Sequence, residues 1–405
     1  MSNEKKAYIY TTLYNVGYMF CTGAIVQTFF LQIGFSEQQV YLYNSLIQAA
    51  QVLMMILMIF IAPAIKKVKL VTGLSYLSLS IFAAILLIAA LMPSIVNNVF
   101  FTVIFVVAAL CNLGVGVYMV MAYCLPYYTI DMSNYGRFLS LQMVFSGGAS
   151  FLLSALHTFV VSKFEYISSM AYFFAFAIIC FILTSVFCLS MKEKKDVSVS
   201  RTSSKADYVA VFKNKDTYLL LIPNFARGIA AGVTNVITVI AISSAVLDEQ
   251  SSAYVNIVMQ VAMFAGNLLY AYYCKKISTT RVLLIAFVGS SIFLPFCLGF
   301  GTVGFLLIFF LAYFFRMIMD TALPVVITEI IPKEQIGAYT SIRMLVFTGA
   351  QAVAALIVSP VVKIIGYTGL LIFAALMQVL CGGVYYLVAR ARRLAVVQAE
   401  ATNNH

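Results

Sequence analysis

The sequence predicts an all-α polytopic membrane protein of twelve transmembrane helices in two parallel six-helix repeats, and three observations predict it. First, 63% of the 405 residues are hydrophobic and only 10% are charged. With a mean hydropathy of +1.00, the chain cannot have water as its main solvent. Second, continuous apolar runs of about 20 residues or more recur from end to end, each long enough to cross a hydrocarbon core about 30 Å thick. Third, the two halves of the chain repeat one another. Continuous runs exclude an outer-membrane barrel, whose strands alternate apolar and polar residues, and favour helices, which satisfy their own backbone in lipid.

In order, the predicted spans are 7–33, 40–63, 69–92, 98–126, 138–161, 166–190, 218–246, 252–274, 281–300, 303–328, 338–362 and 366–389. The first follows Lys5 and Lys6 as a signal peptide would, but it is too long for an h-region and lacks a small-residue cleavage site before Gly34. It reads as a retained helix. With both termini cytoplasmic, all but four of the 25 Lys and Arg fall in cytoplasmic segments; Lys163 and Lys363 lie outside, and Arg227 and Arg316 lie within spans. That asymmetry accounts for the net charge of +11 without nucleic acid, and it favours contact with anionic lipid. The expected setting is a cell membrane, in the style of a bacterial inner membrane, and the expected state is a monomer. The eight Cys show no CxxC and no framework spacing, and read as small packing residues.

The polar stretch "MKEKKDVSVSRTSSKADYVAVFKNKDT" splits the spans six and six. This sets an N-terminal bundle at 1–190, a cytoplasmic linker at 191–217, and a C-terminal bundle with a basic tail at 218–405. The halves align. "YMVMAYCLP", from Tyr118, matches "RMIMDTALP", from Arg316, and five residues beyond each Pro stands an acid, Asp131 and Glu329. From Gly136 and Gly337 a second shared pattern runs: Ser140 with Ser341, Met143 with Met344, Gly148 with Gly349, Ala149 with Ala350. "NVGYMFCTG", from Asn15, matches "NFARGIAAG", from Asn224, at its end residues. Because six crossings return the chain to its starting side, the repeat is parallel.

Twelve spans, a basic linker, the parallel repeat and basic residues after spans 2 and 8 resemble the major facilitator superfamily over nearly the whole chain. "LQIGFSEQQVYLYNSL", Leu31 to Leu46, is similar to that family's passage from helix 1 to helix 2. "APAIKKVKLV" and "AYYCKKISTTRV" keep the bases of the family's inner loop signature but lack its Asp, and the first also lacks its Gly. The resemblance implies two halves facing one another across a central cavity. It also implies a cytoplasmic gate, for which the candidates are Asp131, Arg137, Lys66 and Lys67 in one half and Glu329, Arg343, Lys275 and Lys276 in the other. The competing reading of these residues is interfacial charge in exposed pairs worth at most about 1 kcal/mol each.

Charge inside the membrane costs on the order of 2.5–3.5 kcal/mol per residue, so such groups normally face a cavity or a partner. Arg316 lies near the middle of span 10 with Asp320 one helical turn away on the same face. Arg227 lies in span 7, where no acid can pair with it. In the repeat, Arg316 stands at the place of Tyr118 and Arg227 at the place of Tyr18. Across a cavity this offers tyrosines on one wall and guanidiniums on the other, a site for an anion with an apolar body. Asn15 and Asn224, with Gln260 and Gln351, are expected to add hydrogen bonds. Asp320 either holds Arg316 or carries a coupling proton. The alternative is a structural Arg316–Asp320 pair with Arg227 extended toward the interface. His157 reads as a packing residue rather than a proton carrier.

With two His in total, the chain has no metal-ligand spacing, and neither a P-loop nor a GxSxG elbow occurs. No enzyme activity, cofactor or metal is expected. Three functions remain open: a secondary transporter of a small organic solute, favoured an organic anion, coupled to a proton or another solute; a proton-coupled exporter of amphipathic cations or drugs; and a non-transporting sensor on a transporter fold.

Overall fold

Apolar runs become helices because only helices close their own backbone hydrogen bonds without water. The computed structural model describes every residue except 62–64, 66, 130–134, 193–204, 214–216, 218, 249–250, 274–276, 332–335 and 404–405. The helices are α1 (Asn3–Cys21), α2 (Gly23–Gln32), α3 (Glu37–Ile61), α4 (Val68–Leu91), α5 (Asn98–Thr129), α6 (Tyr135–Lys163) and α7 (Tyr166–Leu189). They continue with α8 (Lys205–Lys213), α9 (Leu221–Asn235), α10 (Ile237–Ser243), α11 (Ser252–Tyr273), α12 (Thr279–Phe293), α13 (Gly301–Ile330) and α14 (Ile336–Asn403). There is no strand among the described residues.

Among the described residues nine helices are long and apolar enough to cross a membrane, and ten when the bent pair α9–α10 is taken as one span. Gly366 divides α14 in two, since its φ of 70° and ψ of 175° interrupt the helix between the eleventh and twelfth predicted runs. The remaining predicted run is α1 with α2, broken where Thr22 is extended and Gly23 takes a φ of 63°. The seventh breaks at Val236, bending by 47°. The first span of each sequence repeat is thus discontinuous, a feature the apolar pattern alone did not reveal. The segment predicted as linker contains α8, a nine-residue helix.

The chain folds as two compact units, one of Met1–Thr202 with Asn235–Gln260 and Ala355–Ser359, the other of Ser203–Thr234, Val261–Ala354 and Pro360–His405. In the first unit α4 packs on α5 and α7, α1 on α6 and α7, and α3 on α5. Small residues permit these approaches: a Cβ at Gly116 would lie 2.8 Å from the Gln51 carbonyl, and Ser78 donates to the Cys111 carbonyl at 3.0 Å. Polar side chains join α2 and α6 to the Asn235–Gln260 segment of the same unit. Gln27 donates to the Asn235 carbonyl at 2.8 Å, at the α9–α10 break, and Asn256 donates to Ser154 at 2.7 Å. In the second unit α12 packs on α13 around Leu283, Phe287, Ile318, Ala322 and Leu323. Exposed faces carry large apolar groups such as Phe60, Leu152 and Val303, which suits contact with lipid. The six described cysteines are all buried.

Candidate functional site

The strongest polar cluster lies wholly in the second unit and is built by three helices. α9 carries Arg227 and Thr234, seven residues apart and therefore on one face two turns apart. α13 carries Arg316 and Asp320 one turn apart. α14 comes close because α9 has glycines. A Cβ at Gly228 would lie 2.5 Å from the Phe347 carbonyl, and one at Gly232 would lie 2.9 Å from the Gln351 carbonyl. That approach sets the Phe347 ring against the Arg227 guanidinium, 4.5 Å from ring centroid to Cζ.

Asp320 joins the helices. Its Oδ1 accepts from Arg227 Nη2, and its Oδ2 lies 3.9 Å from Arg316 Nε. The Arg316–Asp320 pair expected within one helix therefore exists, and Asp320 supplies as well the partner that span 7 cannot give Arg227. Arg316 Nη1 donates to Thr234 Oγ1, returning the link to α9, and its guanidinium lies 5.5 Å from the Tyr313 ring centroid. The side chains of Arg227, Arg316 and Asp320 are 10%, 14% and 30% exposed. Arg227 Nε is buried and makes no hydrogen bond among the described residues. Beside Arg316 lies a water-sized cavity of about 10 Å³, lined by Thr234, Ser290, Phe309, Tyr313 and Gln378. The Gln378 carbonyl oxygen accepts from Ser290 at 3.0 Å, which leaves its NH2 to act as a donor.

The remaining predicted site residues fall elsewhere. Asn224 is fully buried on α9 and donates to Tyr385 and, at 3.2 Å, to Tyr339. In the first unit Asn15 donates to Ser146. Tyr18 and Tyr118 both pack on Tyr14, with centroids 5.4 and 4.6 Å away, and Tyr76 lies 4.8 Å from Tyr118. The centre of this aromatic cluster is Tyr14, which the sequence reading passed over, although Tyr10, Tyr14 and Tyr18 repeat at every fourth position. Gln351 is buried in the second unit, and Gln260 has a buried carbonyl oxygen without a partner among the described residues. His157 is 1% exposed against the Phe20 and Phe173 rings, and neither ring nitrogen has a hydrogen-bond partner among the described residues.

Of the gate candidates, Lys66, Asp131, Lys275 and Lys276 lie outside the described residues, as do the side chains of Arg137 and Glu329. Lys67 is exposed, whereas Arg343 is 7% exposed on α14, with its Nε buried and without a partner among the described residues. No group of His, Cys, Asp and Glu able to hold a metal occurs among the described residues.

Solved structures share this architecture over almost their full length. The crystal structure of a D-xylose–proton symporter aligns with a TM-score of 0.70 at 13% identity, covering 94% of this chain and 96% of that one. The nucleoside transporter NupG aligns at 0.64 and 15%, covering 96% and 99%. The fucose:proton symporter FucP of E. coli aligns at 0.63 and 17%, covering 96% and 98%, and FucP is a major facilitator superfamily transporter. The chain has the major facilitator fold. No protein-family model and no curated protein matches the sequence. At these identities the likeness establishes the twelve-helix, two-repeat architecture.

Proposed function

We propose that the chain is a secondary active transporter of a small organic anion, with Arg227, Arg316 and Asp320 binding it. One observation carries the reading: within membrane helices two guanidiniums share a single carboxylate, so the contact cluster holds one positive charge more than negative. Uncompensated charge at that depth is expensive unless a ligand or water meets it. An anion supplies the missing partner, and guanidinium forks bind carboxylate bidentately. The ring of Tyr313 and the Thr234 hydroxyl beside Arg316 suit an apolar or aromatic body with a polar substituent. Tyr18, Tyr118 and Asn15 enter this proposal as first-half contributors, and the six-plus-six division at the linker enters as its domain organisation. Transport energy would come from a proton or a second solute, in the plasma membrane of a cell with both termini inside.

A second reading is a neutral hydroxylated solute taken with a proton, favoured by the structural neighbours, a nucleoside transporter and two sugar–proton symporters. Exporter and sensor readings have no observation of their own; Arg227 argues against a cationic cargo.

Uptake into liposomes separates the first two. Arg316→Ala should abolish uptake of an organic anion while the protein stays folded by size-exclusion chromatography and thermal unfolding. Full anion uptake by that variant, or uptake confined to nucleosides or sugars, would remove the anion assignment.

A further inference from the structure

We infer that Asp320 sets the charge of the accepted ligand, so that the site takes monovalent organic anions and discriminates against divalent ones; this rests on the anion reading above. The contact cluster consists of Arg227, Arg316 and Asp320, two positive charges and one negative. A monoanion brings the count to zero. A dianion overshoots it, leaving a net negative charge beside a carboxylate in surroundings where like charges are poorly screened.

Geometry makes Asp320 the gatekeeping group. It is the most accessible of the three, at 30% exposed against 10% and 14% for the guanidiniums, so an anion reaching either arginine also meets the carboxylate. Arg227 keeps a buried Nε–H without an acceptor among the described residues, a donor already in place for a ligand oxygen. Neighbouring charges do not substitute for Asp320. The next acid on α13 is Glu329, nine residues on and about 13–14 Å along the helix axis. Arg343, a further buried cation, carried by α14, is not among the ion-pair partners of Asp320 in the described residues.

The test is calorimetric titration of the full-length detergent-purified protein with charge-differing pairs, benzoate against phthalate and hexanoate against adipate. Wild type should bind benzoate and hexanoate about tenfold or more tighter than their dicarboxylate counterparts. Asp320→Asn adds one positive charge to the cluster and should reverse the order. Should Asp320→Asn fail to fold, the double variant Asp320→Asn with Arg316→Gln returns the count to one positive charge and should restore the monocarboxylate preference, while Asp320→Glu should leave it intact. An order of preference unchanged between wild type and Asp320→Asn overturns the charge assignment and leaves the anion reading standing. Binding of none of the four anions by wild type overturns both.

Discussion

Equivalent positions of the two repeats hold opposite chemistry. Where the first repeat has Tyr18 and Tyr118, packed around Tyr14 and Tyr76, the second has Arg227 and Arg316, tied to Asp320 and Thr234. The backbone device is shared, since the first span of each repeat breaks, at Thr22–Gly23 and at Val236. The side chains are not. Both repeats therefore have a broken first span, while the groups they display diverge from aromatic to ionic.

Substitutions can break this comparison, beginning with the costliest. Arg227→Ala strands Asp320 with a single, longer ion pair and should destabilise by about 3 kcal/mol, the low end for a broken buried pair because Asp320 is partly exposed. Thermal unfolding in detergent measures this, and an unchanged midpoint would show the cluster to be energetically idle. Tyr118→Arg copies the second repeat into the first but brings no acid, and should cost about 2.5–3.5 kcal/mol. If that variant is instead as stable as wild type, the first-half position is already ion-tolerant and the contrast between the halves fails.

Glycine contacts allow a finer comparison. A Cβ at Gly232 would stand 2.5 Å from Ala354 Cβ, while one at Gly17 would stand 3.1 Å from Cys180 Cβ. Gly232→Ala should therefore cost about 1–3 kcal/mol and Gly17→Ala clearly less. Equal midpoints for the two variants would mean that α9 is not held more tightly than α1. Tyr18→Phe keeps the ring against Tyr14 but removes the hydroxyl bonded to Gln51 and Thr22, and should cost about 1 kcal/mol. An unchanged midpoint would show those bonds to be energetically idle.

Much of the fold was legible because periodicity and length report burial in lipid directly. Twelve runs, the parallel repeat and the intramembrane charges all follow from local composition. The breaks at Thr22–Gly23 and Val236 were not legible, since they interrupt the backbone without interrupting the apolar run. At the site, Arg316 with Asp320 was readable from spacing on one helix. The Arg227–Asp320 pair was not, because its partners lie 93 positions apart and only the packing of α9 against its neighbours brings them together. Thr234 stood two turns from Arg227 on the same face, a signal that was present in the sequence. Phe347 and Gln378 carry no such mark, being ordinary apolar and amide residues made significant by position.

Gly366 has a reach far beyond its own size. Its backbone, with φ of 70° and ψ of 175°, lies in a region essentially reserved for glycine. The apolar stretch around it, Ala338–Ala391, is 54 residues long. As one straight rod that stretch would measure about 80 Å, far more than a bilayer core of about 30 Å can cover. The hydrogen atom that serves as this residue's side chain therefore acts as a topological determinant. It parts the stretch into two helical segments, each of a length that can cross a bilayer core once.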